Sequence, residues 1–272
     1  MATTRNVQQA GKASERVAIL LATRNGELFL DEQLASLARQ THPLIDIWAS
    51  DDGSTDRTSA ILSDWQARWD KGAFHIAAGP CRGFAENFRS LILNEAIDAD
   101  YMAFCDQDDI WEAGKLETAL ASIHDDGMVK PVLFCGRTLN VSSGGEAIGL
   151  SPFFRRQQSF RNALVQSIAG GNTMVLNRAA WQSLRQASEG TGFVSHDWWA
   201  YQVLTGVGGT VRYTAQPQVR YRQHAANLIG ANTSWAARLT RVSFLMEGGF
   251  RNWNDINMRG LEHNRDMLTP DA

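Results

Sequence analysis

YMAFCDQDDIW, residues 101–111, joins two patterns. Tyr101 to Cys105 is an unbroken apolar run, and Asp106, Asp108 and Asp109 follow it directly, with Trp111 closing the far side. A short apolar run bounded by polar residues predicts a strand buried on both faces. The carboxylates then sit at the strand's carboxyl end. Upstream, Val17 to Ala22 (VAILLA) and Ile45 to Ala49 read the same way, the latter running into SDDGSTD. Phe74 to Ala77 and Val132 to Cys135 predict two more strands. Between them, Leu30/Leu34/Leu37, Ile61/Leu62/Trp65/Trp69, Phe84/Phe88/Leu91/Ile92 and Leu116/Leu120/Ile123 recur at helical spacing. Ser54 or Thr55 is placed to cap the second of these helices, with Asp56 in its first turn. Strands alternating with helices predict an α/β fold, a mostly parallel sheet flanked by helices. Right-handed crossovers put the loops after the strands on one edge, where open α/β sheets bind ligands.

After about residue 136 the pattern loosens. SSGGEAIG reads as a turn-rich loop, Thr173 to Leu176 as a strand, and Trp181 with Leu184 as a helix. VSHDWWAYQVL reads as a helix, and Val211 to Tyr213 and Val219 to Tyr221 as short strands. From Ser234 a helical tail carries Trp235, Leu239, Val242 and Leu245. The expected organisation is a flexible lead (1–16), one α/β domain (17–231, with halves 17–136 and 137–231) and a C-terminal helical tail (232–272).

The chain's 272 residues suffice for a large core, and 44% hydrophobic with 20% charged is an ordinary globular balance. The net charge of −3 gives no global basic field for nucleic acid. Cys81, Cys105 and Cys135 fit neither a zinc knuckle nor a disulfide framework and are expected as buried thiols. No apolar run approaches a membrane span and residues 1–16 lack a signal-peptide core, so the expectation is a cytoplasmic protein. In the tail, Arg238, Arg241 and Arg251 stand among Trp235, Phe244, Leu245 and Met246. Such a basic amphipathic helix either lies peripherally on the inner membrane or packs on the domain.

Asp51, Asp52, Asp106, Asp108 and Asp109 at one sheet edge repel one another unless a cation or hydrogen-bond donors satisfy them. Mg²⁺ or Mn²⁺ suits oxygen ligands and retains waters and substrate phosphates in its shell. No Gly-x-Gly-x-x-Gly follows the first strand, which disfavours a dehydrogenase.

Seven segments together resemble family 2 glycosyltransferases of the GT-A fold, in the rhamnosyltransferase-like branch: VAILLATRNGELFLDEQLASLARQ, WASDDGSTDRT, RGFAENFRSLI, MAFCDQDDIWEAGKL, GGNTMVLNR, HDWWAY and YRQHAANLIGA. The resemblance implies a Rossmann-like nucleotide-binding domain. It implies inverting transfer of a sugar from a nucleotide-sugar donor to a hydroxyl of a glycan or lipid-linked acceptor. Thr23 matches a nucleotide contact, and Asp52, with Asp51 beside it, the acid that holds the base. Asp106 and Asp108 match the Asp-x-Asp that holds ribose and the diphosphate-bound metal. Asp197 aligns with the general base, and Arg222 and His224 with metal or diphosphate contacts. Gly171 and Asn172 (with Gly170) and Trp198 are candidates for the acceptor side; the alternatives are an ordinary turn and a core tryptophan.

The chain departs from the family pattern in three places. Arg24 replaces a tyrosine, and either contacts diphosphate or points to solvent. Cys81-Arg82-Gly83 replaces Asn-x-Gly, while Asn87 is kept. The Gln-x-x-Arg-Trp motif of processive members is absent, which argues against a polymerising synthase. Two other classes stay open at this level: a non-catalytic sugar-nucleotide-binding module and a phosphatase using Asp-x-Asp. The latter is disfavoured because the motif follows the fourth predicted strand and not the first.

Overall fold

Strand β1, Val17–Thr23, runs through the centre of the molecule with Val17 to Leu21 wholly buried. Its side chains alternate between two apolar layers. Ala18 and Leu20 pack with Phe88, Leu91 and Ile92, whereas Val17, Ile19 and Leu21 pack with Leu30, Leu34 and Leu37. A strand covered on both faces has no room for polar residues, which is why it reads as one continuous apolar run. The computed structural model describes residues 15–125, 129–224 and 249–272.

The chain proceeds through α1 (Leu30–Ala38), β2 (Ile45–Asp51), α2 (Thr58–Arg68), β3 (Phe74–Ala78), α3 (Phe84–Ile92), β4 (Tyr101–Cys105), β5 (Ile110–Trp111), α4 (Lys115–His124) and β6 (Val132–Gly136). Then follow β7 (Leu139–Val141), β8 (Ala147–Leu150), α5 (Phe160–Ala163), β9 (Val175–Asn177), α6 (Arg178–Ser188), α7 (His196–Gly206), β10 (Thr210–Thr214), β11 (Val219–Arg222) and α8 (Gly249–His263). Seven strands form the main sheet in the order β10-β6-β9-β4-β1-β2-β3. All run parallel except β9, which is antiparallel to both β4 and β6. Because β9 runs backwards, the Gly171–Thr173 turn that leads into it lies at the carboxyl edge of β4. A second sheet, β5-β11-β7-β8, pairs Val219 with Trp111 and so carries the residues after β11 to the same edge.

Several local expectations change. The strand expected at Thr173 begins at Val175, after a 3₁₀ turn whose Thr173 side chain bonds Gly170 O. SSGGEAIG is the turn and outer strand of the β7–β8 hairpin. The α2 N-terminus is served by Asp56, which accepts from Thr58 N and Oγ at 3.0 and 2.6 Å, and not by Ser54 or Thr55. Those two side chains face the β1–α1 loop instead. Cys105 and Cys135 are buried, but Cys81 is exposed, in a left-handed turn at φ 55°.

Of the expected lead, residues 1–14 lie outside the described residues; Arg16 is anchored by a salt bridge to Asp46 at 2.7 Å. Of the tail, residues 232–248 lie outside them too. The described part packs on the domain: Leu261 is buried, Asn264 Nδ2 donates to Ala187 O, and Thr269 N donates to Gly206 O. Membrane contact through this tail gains no support: Trp235, Arg238, Arg241, Phe244, Leu245 and Met246, on which it rests, lie outside the described residues. Among the described residues no helix is long and apolar enough to cross a membrane.

Candidate active site

Three loops meet above the carboxyl ends of β1, β2 and β4, and side chains lock them together. Thr23 Oγ1 donates to Asp51 Oδ1 at 2.9 Å, and Asp51 also accepts from Ser54 N and Oγ at 3.1 and 2.5 Å. Asn25, at φ 48°, accepts from Thr55 N at 2.8 Å. Gln107 clasps the Arg24 backbone twice, accepting from its N–H at 2.8 Å and donating to its carbonyl at 2.9 Å. The Arg24 side chain itself is exposed.

Asp52 is 2% exposed, and its two oxygens accept from Cys81 N and Gly83 N at 2.6 and 2.9 Å. It thereby shapes the Cys81–Gly83 loop, in which Gly83 at φ 93° leads into α3. Asn87 has a clear role: its side chain accepts from Ser50 Oγ and donates to Ser50 O, tying α3 to β2.

The DQDD turn is the chemical centre. Asp109 is fully buried and accepts from the Asn172 side-chain amide and, at 3.2 Å, from Arg222 N. It joins β4, the turn before β9 and the end of β11. Sequence reading singled out Asn172 and Arg222 but gave Asp109 no role of its own; neighbouring aspartates look alike until burial separates them. Arg222, 2% exposed, donates to Asp108 O at 3.0 Å, Ser143 O at 2.7 Å and Glu32 Oε2 at 2.5 Å. These bonds make it a clamp between the DQDD turn, the β7–β8 hairpin and α1. His224 Nε2 meets Asp108 Oδ2 at 2.7 Å, bringing two expected metal ligands together.

Burial, reinforced by the charges of Asp109, Asp108 and Asp197, pushes the Asp106 carboxyl well above the usual range. Asp197 thus lies within electrostatic reach of Asp106. Burial and the Asp108 charge push Asp109 up to about 7, against the hydrogen bonds from Asn172 and Arg222. Lys115 is fully buried, with Nζ 3.0 Å from the centre of the Trp111 ring; burial lowers its pKa, while Cys105, Asp109 and Asp106 oppose that.

A carboxyl whose folded pKa exceeds its unfolded value stabilises the fold fully below the unfolded pKa, near 4, and loses that contribution as pH rises through the folded one. With divalent ions chelated, the chain should melt at lower temperature at pH 8 than at pH 5.5. Asp109→Asn should flatten that slope because it removes a titrating carboxyl, while Asn172 Oδ1, buried without a partner, accepts from the new amide once its own amide turns over. Calorimetry at the two pH values checks this. Equal slopes in the two proteins would place the cause elsewhere.

Asp197 stands in the first turn of α7, where its Oδ1 accepts from Trp198 N at 2.7 Å. Its neighbours turn inward. His196 is stacked on Phe88 at 3.6 Å between ring centres, and burial lowers its pKa to about 4, so it is a neutral packing residue. A Cβ on Gly171 would overlap the His196 imidazole, which explains the glycine without an acceptor. Trp198 corrects the expectation of an acceptor platform: it is 5% exposed and its indole donates to Ala163 O at 2.6 Å. Trp199 is likewise core.

Among the described residues no group of three or more His, Cys, Asp or Glu side chains is arranged to hold a metal ion. Asp108 with His224, and Asp106 nearby, is nevertheless a donor set that suits a hard divalent ion drawing its remaining ligands from substrate phosphates and water.

A family model described as glycosyl transferase family 2 matches residues 18–184. The chain belongs to this family. Within family 2, its similarity to the dTDP-rhamnosyl transferase RfbG of Shigella flexneri is 26% identity over 245 residues, 85% of this chain and 81% of that protein. Among solved structures, TarS residues 1–349 of S. aureus with UDP-GlcNAc superposes at TM-score 0.58 and 18% identity, over 78% of this chain and 60% of that one. The mannosyltransferase PcManGT of Pyrobaculum calidifontis, solved with GDP-Man and Mn²⁺, gives 0.55 and 19% over 86% and 63%. This chain therefore spans less than two thirds of those structures. That likeness establishes the GT-A fold, and the family model the glycosyltransferase assignment.

Proposed function

We propose that this family 2 glycosyltransferase moves L-rhamnose from dTDP-rhamnose, with inversion, to a hydroxyl of a glycan or lipid-linked acceptor in bacterial surface-polysaccharide (O-antigen or capsule) synthesis. The observation that carries the reaction type is that the aspartates after β4 meet His224, which follows β11, and feel the charge of Asp197 from α7 at one sheet edge. The similarity to RfbG over most of both chains supports the donor.

Thr23, Arg24, Asp51 and Asp52 form the nucleotide end. In this reading the two aspartates act chiefly through the loops they hold, with Arg24 presenting an exposed cation to the diphosphate. Asp106, Asp108 and His224 would hold Mg²⁺ or Mn²⁺, which when bound offsets the negative charge gained by the leaving diphosphate. Arg222 positions the carbonyl of Asp108. Asp197 accepts the proton of the acceptor hydroxyl as that oxygen attacks the anomeric carbon from the face opposite the leaving group. One such carboxylate suffices for inversion, and no covalent enzyme intermediate forms. Asn172, buried and held by Asp109, supports the turn before β9 behind the acceptor side.

The test is a thermal-shift and turnover panel of dTDP-rhamnose, UDP-glucose, UDP-GlcNAc and GDP-mannose with Mg²⁺ or Mn²⁺. A donor at 100 times its dissociation constant adds about 2.7 kcal/mol, a rise of roughly 5–10 °C for a chain of this size. dTDP-rhamnose should give the largest rise and release dTDP when a hydroxyl acceptor is added. A larger rise with another donor replaces rhamnose; release of inorganic phosphate moves the chain to the phosphatase class.

A further inference from the structure

From residue 147 to residue 188 the chain contains no Asp or Glu but five arginines, in a protein of net charge −3. Arg178 and Arg185 in that stretch are paired with Asp98 and Glu95. Arg155, Arg156 and Arg161 are exposed and have no ion-pair partner among the described residues. Just before them in the chain stand large apolar side chains in water: Ile148 is 51% exposed, Leu150 49% and Phe153 42%. Ile148, at the bulge in the β7–β8 ladder, and Leu150 both lie on β8, the outer strand of the second sheet, every residue of which is exposed. Phe153 is flanked by two guanidiniums, Arg137 at 5.6 Å and Arg155 at 5.8 Å.

We propose that this strip, running from β8 to α5, docks the enzyme on an anionic phospholipid bilayer. Aromatic and aliphatic side chains interleaved with unpaired arginines are the composition that seats a surface at the headgroup boundary. A protein partner of ordinary surface composition would leave the arginines unmatched. Both ends of the strip are tied to the catalytic region. Ser143 O, in the turn before β8, accepts from Arg222, and Ala163 O, at the end of α5, accepts from Trp198 beside Asp197. Docking there is independent of which donor sugar the site takes. It uses a face distinct from the described part of the tail, whose apolar side is already covered.

The experiment is co-sedimentation of the full chain with vesicles of phosphatidylcholine alone or mixed with phosphatidylglycerol. Binding should be strong only to the mixed vesicles and should weaken as salt shortens the screening length. Each basic residue near an anionic surface is worth roughly fivefold in partitioning. Arg155→Ala, Arg156→Ala and Arg161→Ala combined should thus lower it about a hundredfold, with melting temperature and transfer to a water-soluble acceptor unchanged. Phe153→Asp should lower it as well, and if that variant unfolds the triple arginine variant decides alone. Wild-type partitioning by the triple variant overturns the proposal, as does a loss produced only by Arg238→Ala with Arg241→Ala in the tail. Equal affinity of the strip for duplex DNA also overturns it. So does a vesicle-free dimer that Ile148→Asp dissolves, which would make β8 a pairing edge between two copies.

Discussion

Asp197→Asn is expected to lower kcat by about 10²–10⁴-fold, the usual worth of a general base, while donor affinity stays near that of wild type. The substitution keeps the oxygen that accepts from Trp198 N, so the first turn of α7 keeps its hydrogen bond. It removes only the capacity to take a proton. Single-turnover transfer with donor affinity measured in parallel checks this. Near wild-type turnover would reduce Asp197 to a helix-end residue. A fall in donor affinity as large as the fall in rate would move it to the diphosphate side. Asp106 offers an internal control. The Asp197 charge contributes to raising the Asp106 carboxyl, so the asparagine variant should bring Asp106 toward its ordinary value and shift the acid limb of the donor-binding pH profile downward.

Asp108→Asn is expected to weaken metal-dependent donor binding tenfold or more, about 1.4 kcal/mol, and to cut turnover further. Asp108 meets His224 at 2.7 Å, so the charge lost is one shared by the two residues proposed to hold the metal. The clamp from Arg222 reaches the Asp108 carbonyl, which the substitution leaves intact, so the fold should melt normally. Titration of dTDP with and without EDTA separates the effects. Wild type should lose affinity on chelation and the variant should not. Equal affinity in all four conditions would remove metal from the mechanism.

Residues 17–136 were legible because their central strands are buried on both faces, so β1, β2 and β4 announce themselves as apolar runs ending in polar residues. The β7–β8 hairpin was not legible. Every residue of β8 is exposed, so no alternation between core and solvent marks it as a strand. The aspartate pairs were visible as chemistry but not as roles. Asp52 and Asp109 spend their oxygens on backbone and side-chain N–H groups, and only the returning path of β9 explains why Asn172 faces Asp109. HDWW reads as a candidate base beside two possible sugar platforms. The helix turns both tryptophans into the core, because Trp198 and Trp199 find buried acceptors in Ala163 O and Ser188 Oγ.

The double clasp of Gln107 on the Arg24 backbone has a consequence for how this enzyme meets its donor. A loop held at both its N–H and its carbonyl by a residue of the DQDD turn cannot relax independently of that turn. A side chain on Gly26 would collide with Gln107, so the sequence leaves no slack there. This wall of the sheet edge is thus set before any ligand arrives. A ligand that binds against it loses little ordering entropy of the loop on association, and the free energy of its contacts goes into affinity.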